Sequence, residues 1–161
     1  MATVTTLAGG ATAGRTAGSV PYLVDVQIDF AAAATAKGSA LAAADIIEAV
    51  NVPANTVVLT AGIEVVTALA GESADTRLLL GVTGGDVDAF VASWDATAAT
   101  AGTYAPAAAT VPVVFGSADT IDLEIDAATT APTGGVVRVY AVLMDIDGRY
   151  GAAEVDRDQL A

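Results

Sequence analysis

The sequence predicts an all-β fold: an antiparallel β-sandwich, jelly-roll-like, with seven to eight strands and a flexible N-terminal arm. Three observations predict it. Apolar and polar residues alternate with period two in "YLVDVQIDF" and again in "DTIDLEID". β-Branched runs recur at fairly regular spacing between turns rich in Gly, Pro and Asn. Helical segments are too few and too short to cover a parallel sheet. The 161 residues divide into an arm (1–20), a sandwich domain (21–148) and a polar tail (149–161).

The elements follow in order. Residues 1–20 are small, rich in Gly, Ala and Thr, and carry Arg15 as their one charge. Such a segment buries too little apolar surface to offset its ordering entropy. It reads as an arm that is disordered in isolation and either idle or ordered on a neighbour as an added strand. From Tyr22 the alternation places Tyr22, Val24, Val26, Ile28 and Phe30 on one face and Asp25, Gln27 and Asp29 on the other, a half-buried strand. The next stretch stays open: its alanines favour helix, Gly38 and Ser39 interrupt it, and "DIIEAV" reads as a short strand.

"NVPANT" is a turn, with Pro53 fixing φ between turn-forming Asn residues. It launches a β-branched strand over residues 56–68, with Gly62 marking a bulge or bend. "RLLLGVTGG" is another strand. "DVDAFVASW" suggests one or two helical turns capped by Asp86. "DATAATAGTYAPAAAT" is a long connection, followed by the strands "VPVVFGS", "DTIDLEID" and "GGVVRVYAVLMDID".

Composition excludes several chemistries. The chain has neither Cys nor His, which removes thiol nucleophiles, Cys/His zinc sites and any Ser-His-Asp arrangement. Nineteen acids against six bases give a net charge of −13, unsuited to a nucleic-acid backbone. That acidity fits a solubilising surface, adaptation to high salt or attraction to a basic partner. Alanine, nearly a quarter of the residues, accounts for much of the 54% hydrophobic content. No strongly apolar stretch approaches the ~20 residues a membrane helix needs, and no secretory signal pattern opens the sequence. A soluble protein without a cofactor is expected.

The acidic motifs are the only candidates for chemistry. In "DTIDLEID" the carboxylates of Asp122, Glu124 and Asp126 would stand ~6.5–7 Å apart along one strand face. Their mutual repulsion in water is about 0.6 kcal/mol per adjacent pair before screening. Burying Ile121, Leu123 and Ile125 is worth ~1.5–3 kcal/mol each. Burial wins, so the acids are expected simply to face water. Asp86 and Asp88 in "GGDVDAF", with Asp145 and Asp147 in "MDIDGRYG", are weak calcium candidates; both stretches depart from the EF-hand pattern. The Gly pairs match no phosphate-binding loop. No enzyme is expected.

"DIIEAVNVPANTVVLTAGIEVVTA", "GVTGGDVDAFV" and "DTIDLEID…GGVVRVYAVLMDID" together resemble the small virion proteins of tailed bacteriophages that decorate or cement the head. The shared signatures are Asp45, the turn at 52–56, the Gly-Asp-x-Asp loop at 85–88 and the Asp-Thr-Ile-Asp-Leu strand at 119–123, within residues 22–147. The resemblance carries over no catalytic residue. It implies a homotrimeric sandwich on the outer surface of the virion capsid, bound across neighbouring major capsid protein subunits, with no nucleic acid or membrane partner. Interface candidates are Thr3, Val4, Leu7, Arg15 and Val20 in the arm, with Trp94 and Tyr104 beside the long connection; ordinary packing explains each of the last two equally well. The alternative is a receptor- or glycan-binding β-sandwich on a virion or cell surface, which an aromatic-lined, calcium-dependent loop would favour.

Overall fold

The computed structural model describes residues 3–4, 20–71, 75–108 and 112–146. Its strands are β1 (Thr3–Val4), β2 (Tyr22–Asp29), β3 (Ile46–Val52), β4 (Thr56–Ala70), β5 (Arg77–Gly81), β6 (Val91–Asp95), β7 (Val113–Phe115), β8 (Asp119–Ala127) and β9 (Gly134–Asp145). One helix, α1 (Phe30–Lys37), joins β2 to the segment before β3. The strands form two sheets, ordered β1-β3-β8-β5-β6 and β2-β9-β4-β7. Every pairing is antiparallel except β1 on β3.

The topology is nested. β2 pairs with β9, β3 with β8, β4 with β7 and β5 with β6, so the eight body strands behave as one long hairpin folded into two layers. That is the jelly-roll arrangement the strand count predicts.

The core lies between the sheets and is made by the alternation. Ile28 on β2, Ile63 on β4, Leu80 on β5, Leu123 on β8 and Val139 on β9 are essentially inaccessible to water. Side chains of this size each stabilise the fold by ~1.5–3 kcal/mol when buried. Leu23, Asp25, Gln27 and Asp29, the outward set of β2, are all exposed.

The open stretch after β2 resolves into a capped helix. Asp29 ends the strand and caps α1, its Oδ1 accepting from the N–H groups of Ala31 (2.8 Å) and Ala32 (3.3 Å). Gly38 closes the helix at φ 77°, and its N–H reaches the carbonyls of Ala34 and Thr35. Phe30 and Ala33 are the buried side of the helix. Lys37 then bends back: Nζ donates to Ala40 O (2.8 Å) and to Asp45 Oδ2 (2.5 Å), which also accepts the Ala42 N–H.

Two local expectations are corrected. The register of β4 shifts between Val58 and Thr60 and again beyond Val65, but Gly62 pairs regularly with Tyr140. Gly62 is there for room: a Cβ would collide with the Tyr140 ring and hydroxyl. Residues 86–94 are not helical either. Asp86 starts a turn, accepting the Asp88 N–H at its Oδ1 (3.4 Å), and the β-branched Val91 begins strand β6.

The long connection after β6 is partly strand-like. Val65 N–H donates to Thr103 O, Gly102 N–H to Val65 O and Ala105 N–H to Ile63 O, each within 2.9 Å. Residues 102–105 therefore occupy the side of β4 that the three-residue β7 leaves free, with Tyr104 bridged to Glu64.

Candidate interaction surfaces

The acid strand does not lie wholly in water. Ile121, Leu123 and Ile125 are buried as expected, but so is Asp122, at 4% exposure. The turn after β5 passes over it and donates the Thr83 N–H to Asp122 Oδ2 (3.1 Å). Asp122 Oδ1 is buried without a hydrogen-bond partner. Alternation fixed the face of this side chain, but not what covers it. Glu124 is half-buried, while Asp126 is exposed and accepts the Ser93 hydroxyl (2.6 Å).

Burial, then the charge of Asp126, raises the Glu124 carboxyl above its ordinary range. Its ionised form is therefore disfavoured in the fold. The penalty is fully present above the folded-state pKa and fades as pH falls from there towards the ordinary value near 4.5. Replacing Glu124 with Gln is expected to stabilise the protein at neutral pH by only about 0.3 kcal/mol, because solvent screens the site. The variant should also lose the wild type's small gain across that window. Urea unfolding at neutral pH and near pH 5 checks both, and equal pH slopes would refute the assignment.

Asp86 and Asp88 share one turn. A hydrogen bond with the Asp86 side chain, then desolvation and the nearby charges of Asp86 and Asp126, raises the Asp88 carboxyl. Asp145 ends β9 opposite Thr56, and Asp147 lies outside the described residues. Among the described residues, no three acidic side chains converge as a metal ion would require.

The outer face of the β2-β9-β4-β7 sheet carries a better-organised constellation. Register places Asp25, Tyr140 and Gly62 in one row and Gln27, Arg138 and Glu64 in the next. The Arg138 guanidinium is held by Glu64 Oε2, through Nε at 2.8 Å and through Nη2. This bond and the charge of Glu64 raise the Arg138 pKa further, so the group is permanently cationic. Tyr140 lies across Gly62 and meets Tyr104 edge-on, ring centroids 6.1 Å apart at 70°. Burial and then the neighbouring Tyr104 and Glu64 raise the Tyr140 hydroxyl, which stays protonated. These four residues, with Leu23 and Asp25, line a shallow depression of about 350 Å³.

Of the interface candidates, Tyr104 falls in this depression and is 55% exposed. Val20 is exposed just before β2. Trp94 is half-buried against the core, opposite Leu78. Thr3 and Val4 form β1, in register with Ile46 and Ile47, while Leu7 and Arg15 lie outside the described residues. Sequence reasoning missed Glu64, Arg138 and Tyr140. Their alternation marks them as one outward set, but their convergence depends on the β4–β9 register, over seventy residues apart in the chain.

Three solved structures share the fold. A chain in the capsid of Ralstonia phage GP4 matches with a TM-score of 0.64 and 16% identity, covering 89% of this chain and 97% of that one. A chain in the cyanophage Pam1 capsid asymmetric unit matches at 0.57 and 15%, covering 86% and 94%. A chain in the acidic stable capsid structure of Helicobacter pylori bacteriophage KHP30 matches at 0.51 and 18%, covering 79% and 88%. No protein-family model matches the sequence, nor does any curated protein.

Proposed function

We propose that this chain is a structural, non-enzymatic virion protein that decorates and cements the capsid of a tailed phage. It binds as a homotrimer on the outer surface, across neighbouring major capsid protein subunits. The observation that carries the reading is the shared fold: nearly the full length of chains from three phage capsids is matched by most of this one. The phage-head resemblance of the turn and strand motifs supports it independently.

Cementing needs no chemistry. A protein that binds only the assembled shell shifts the equilibrium away from rupture by mass action, by ~2.7 kcal/mol per site at a free concentration one hundred times its Kd. The N-terminal residues contribute by strand addition to a neighbouring subunit. Thr3 and Val4 themselves pair with β3 of the same chain, so the added strand would come from the residues beyond them.

The test combines light scattering on the purified chain with co-sedimentation against expanded shells of the cognate major capsid protein made without it. A trimer that pellets saturably with shells, and raises their rupture temperature, is expected. A monomer that ignores shells but binds glycans in a calcium-dependent way would overturn the reading in favour of receptor or glycan recognition.

A further inference from the structure

We propose that the outer face of the β2-β9-β4-β7 sheet is the docking surface, and that its partner is a protein surface of apolar side chains rimmed by Lys and Arg. This rests on the capsid-binding reading above and names the face and the partner chemistry that reading leaves open.

The first argument is where exposed apolar side chains fall. Among the described residues the large ones are Val20, Leu23, Val87, Tyr104, Val114 and Ile146. Leu23 (65% exposed), Tyr104 (55%) and Val114 (61%) stand on this one face. Ile146, two residues beyond Met144 in the same alternation, extends it where β9 stops. Between them, Val142 and Met144 of β9 are half-exposed. Single exposed apolar residues are ordinary; four gathered on one side of a sandwich, with Val142 and Met144 between them, form a patch of the kind that marks an interaction site.

The second argument is rigidity. Tyr104 sits in a segment tied to β4 by three backbone hydrogen bonds, Tyr140 rests over Gly62, and Glu64 fixes Arg138. Two tyrosines and an arginine so held lose little side-chain entropy on binding, and these residue types dominate interface energetics.

Charge selects the partner. On this face Glu64 already neutralises Arg138, and Asp25 adds a further negative charge beside it. With 19 acids against 6 bases, a second copy would bring like charge to an acidic face. A basic rim would instead be attracted, and its association would weaken as salt rises.

The test measures binding of purified full-length variants to the same shells at 50 and 500 mM NaCl. Leu23→Asp combined with Val114→Asp is expected to weaken binding at least thirtyfold, and Tyr104→Ala about tenfold. Ala92→Asp, at an exposed side chain on β6 in the other sheet, should bind like wild type. All these substitutions are at exposed side chains, and unfolding curves confirm that each variant folds. Wild-type affinity should fall with salt. If wild type binds and the double variant binds equally, the face assignment fails while the capsid reading stands. If wild type does not bind, both fail. A double variant that loses self-association but keeps shell binding would identify a second copy as the occupant and overturn the proposal, as would affinity that rises with salt.

Discussion

Replacing Asp45 with alanine is expected to cost ~3–5 kcal/mol, the range for breaking one side of a buried ion pair. Asp45 is 2% exposed, and its Oδ2 accepts from both Lys37 Nζ and the Ala42 N–H. Without it the ammonium keeps Ala40 O, but the Ala42 N–H loses its acceptor. The loss is felt beyond the pair, because Lys37 is the last residue of α1 and Asp45 immediately precedes β3. Loosening that tie frees the helix whose Phe30 and Ala33 close one part of the core. Lys37→Met, which leaves the more deeply buried carboxylate without its cation, should also destabilise, and the double variant should cost less than the sum of the singles, because neither charge is then left without the other. Urea unfolding of the three variants measures the coupling, and strict additivity would refute it.

Gly81→Val is expected to destabilise by about 3 kcal/mol, through overpacking and the loss of a buried hydrogen bond. At Gly81 the restriction is spatial: a Cβ would collide with the backbone of Asp86 and Val87, where no side-chain rotation can give way. The turn over residues 82–88 would have to lift. That would withdraw the Thr83 N–H from Asp122, whose other oxygen already lacks a partner. The corresponding drop in melting temperature is about 10 °C for a chain of this size. Gly116→Ala is the control, since nothing stands within 4 Å of a Cβ there, and it should change stability by less than ~0.5 kcal/mol. Equal melting temperatures for the two variants would mean that the turn does not press on β5 as described.

What could be read from the sequence was whatever period two encodes. Alternation alone identified β2 and β8 and assigned Leu123 and Ile125 to the core, because every second side chain of a strand must share a face. The failures share a cause too. Asp29 served the alternation of a strand and was not recognised as the cap that turns it into α1. Asp122 was placed on the correct face but wrongly in water, since its cover comes from a turn thirty-nine residues away. Gly62 looked like a bulge because nothing local announces that Tyr140 lies over it. The depression around Arg138 was out of reach for the same reason: its members are adjacent in space only after the β4–β9 register is set.

The pairing of residues 102–105 with β4 has a consequence for crowding. A fifteen-residue strand covered on one side by only three residues of β7 would offer a row of unpaired N–H and C=O groups, a template for cross-β growth. By occupying Ile63 and Val65, the loop shortens that template below the length at which another chain could add stably. Along this part of β4, a neighbouring chain would meet a paired loop and side chains where a free edge would otherwise stand.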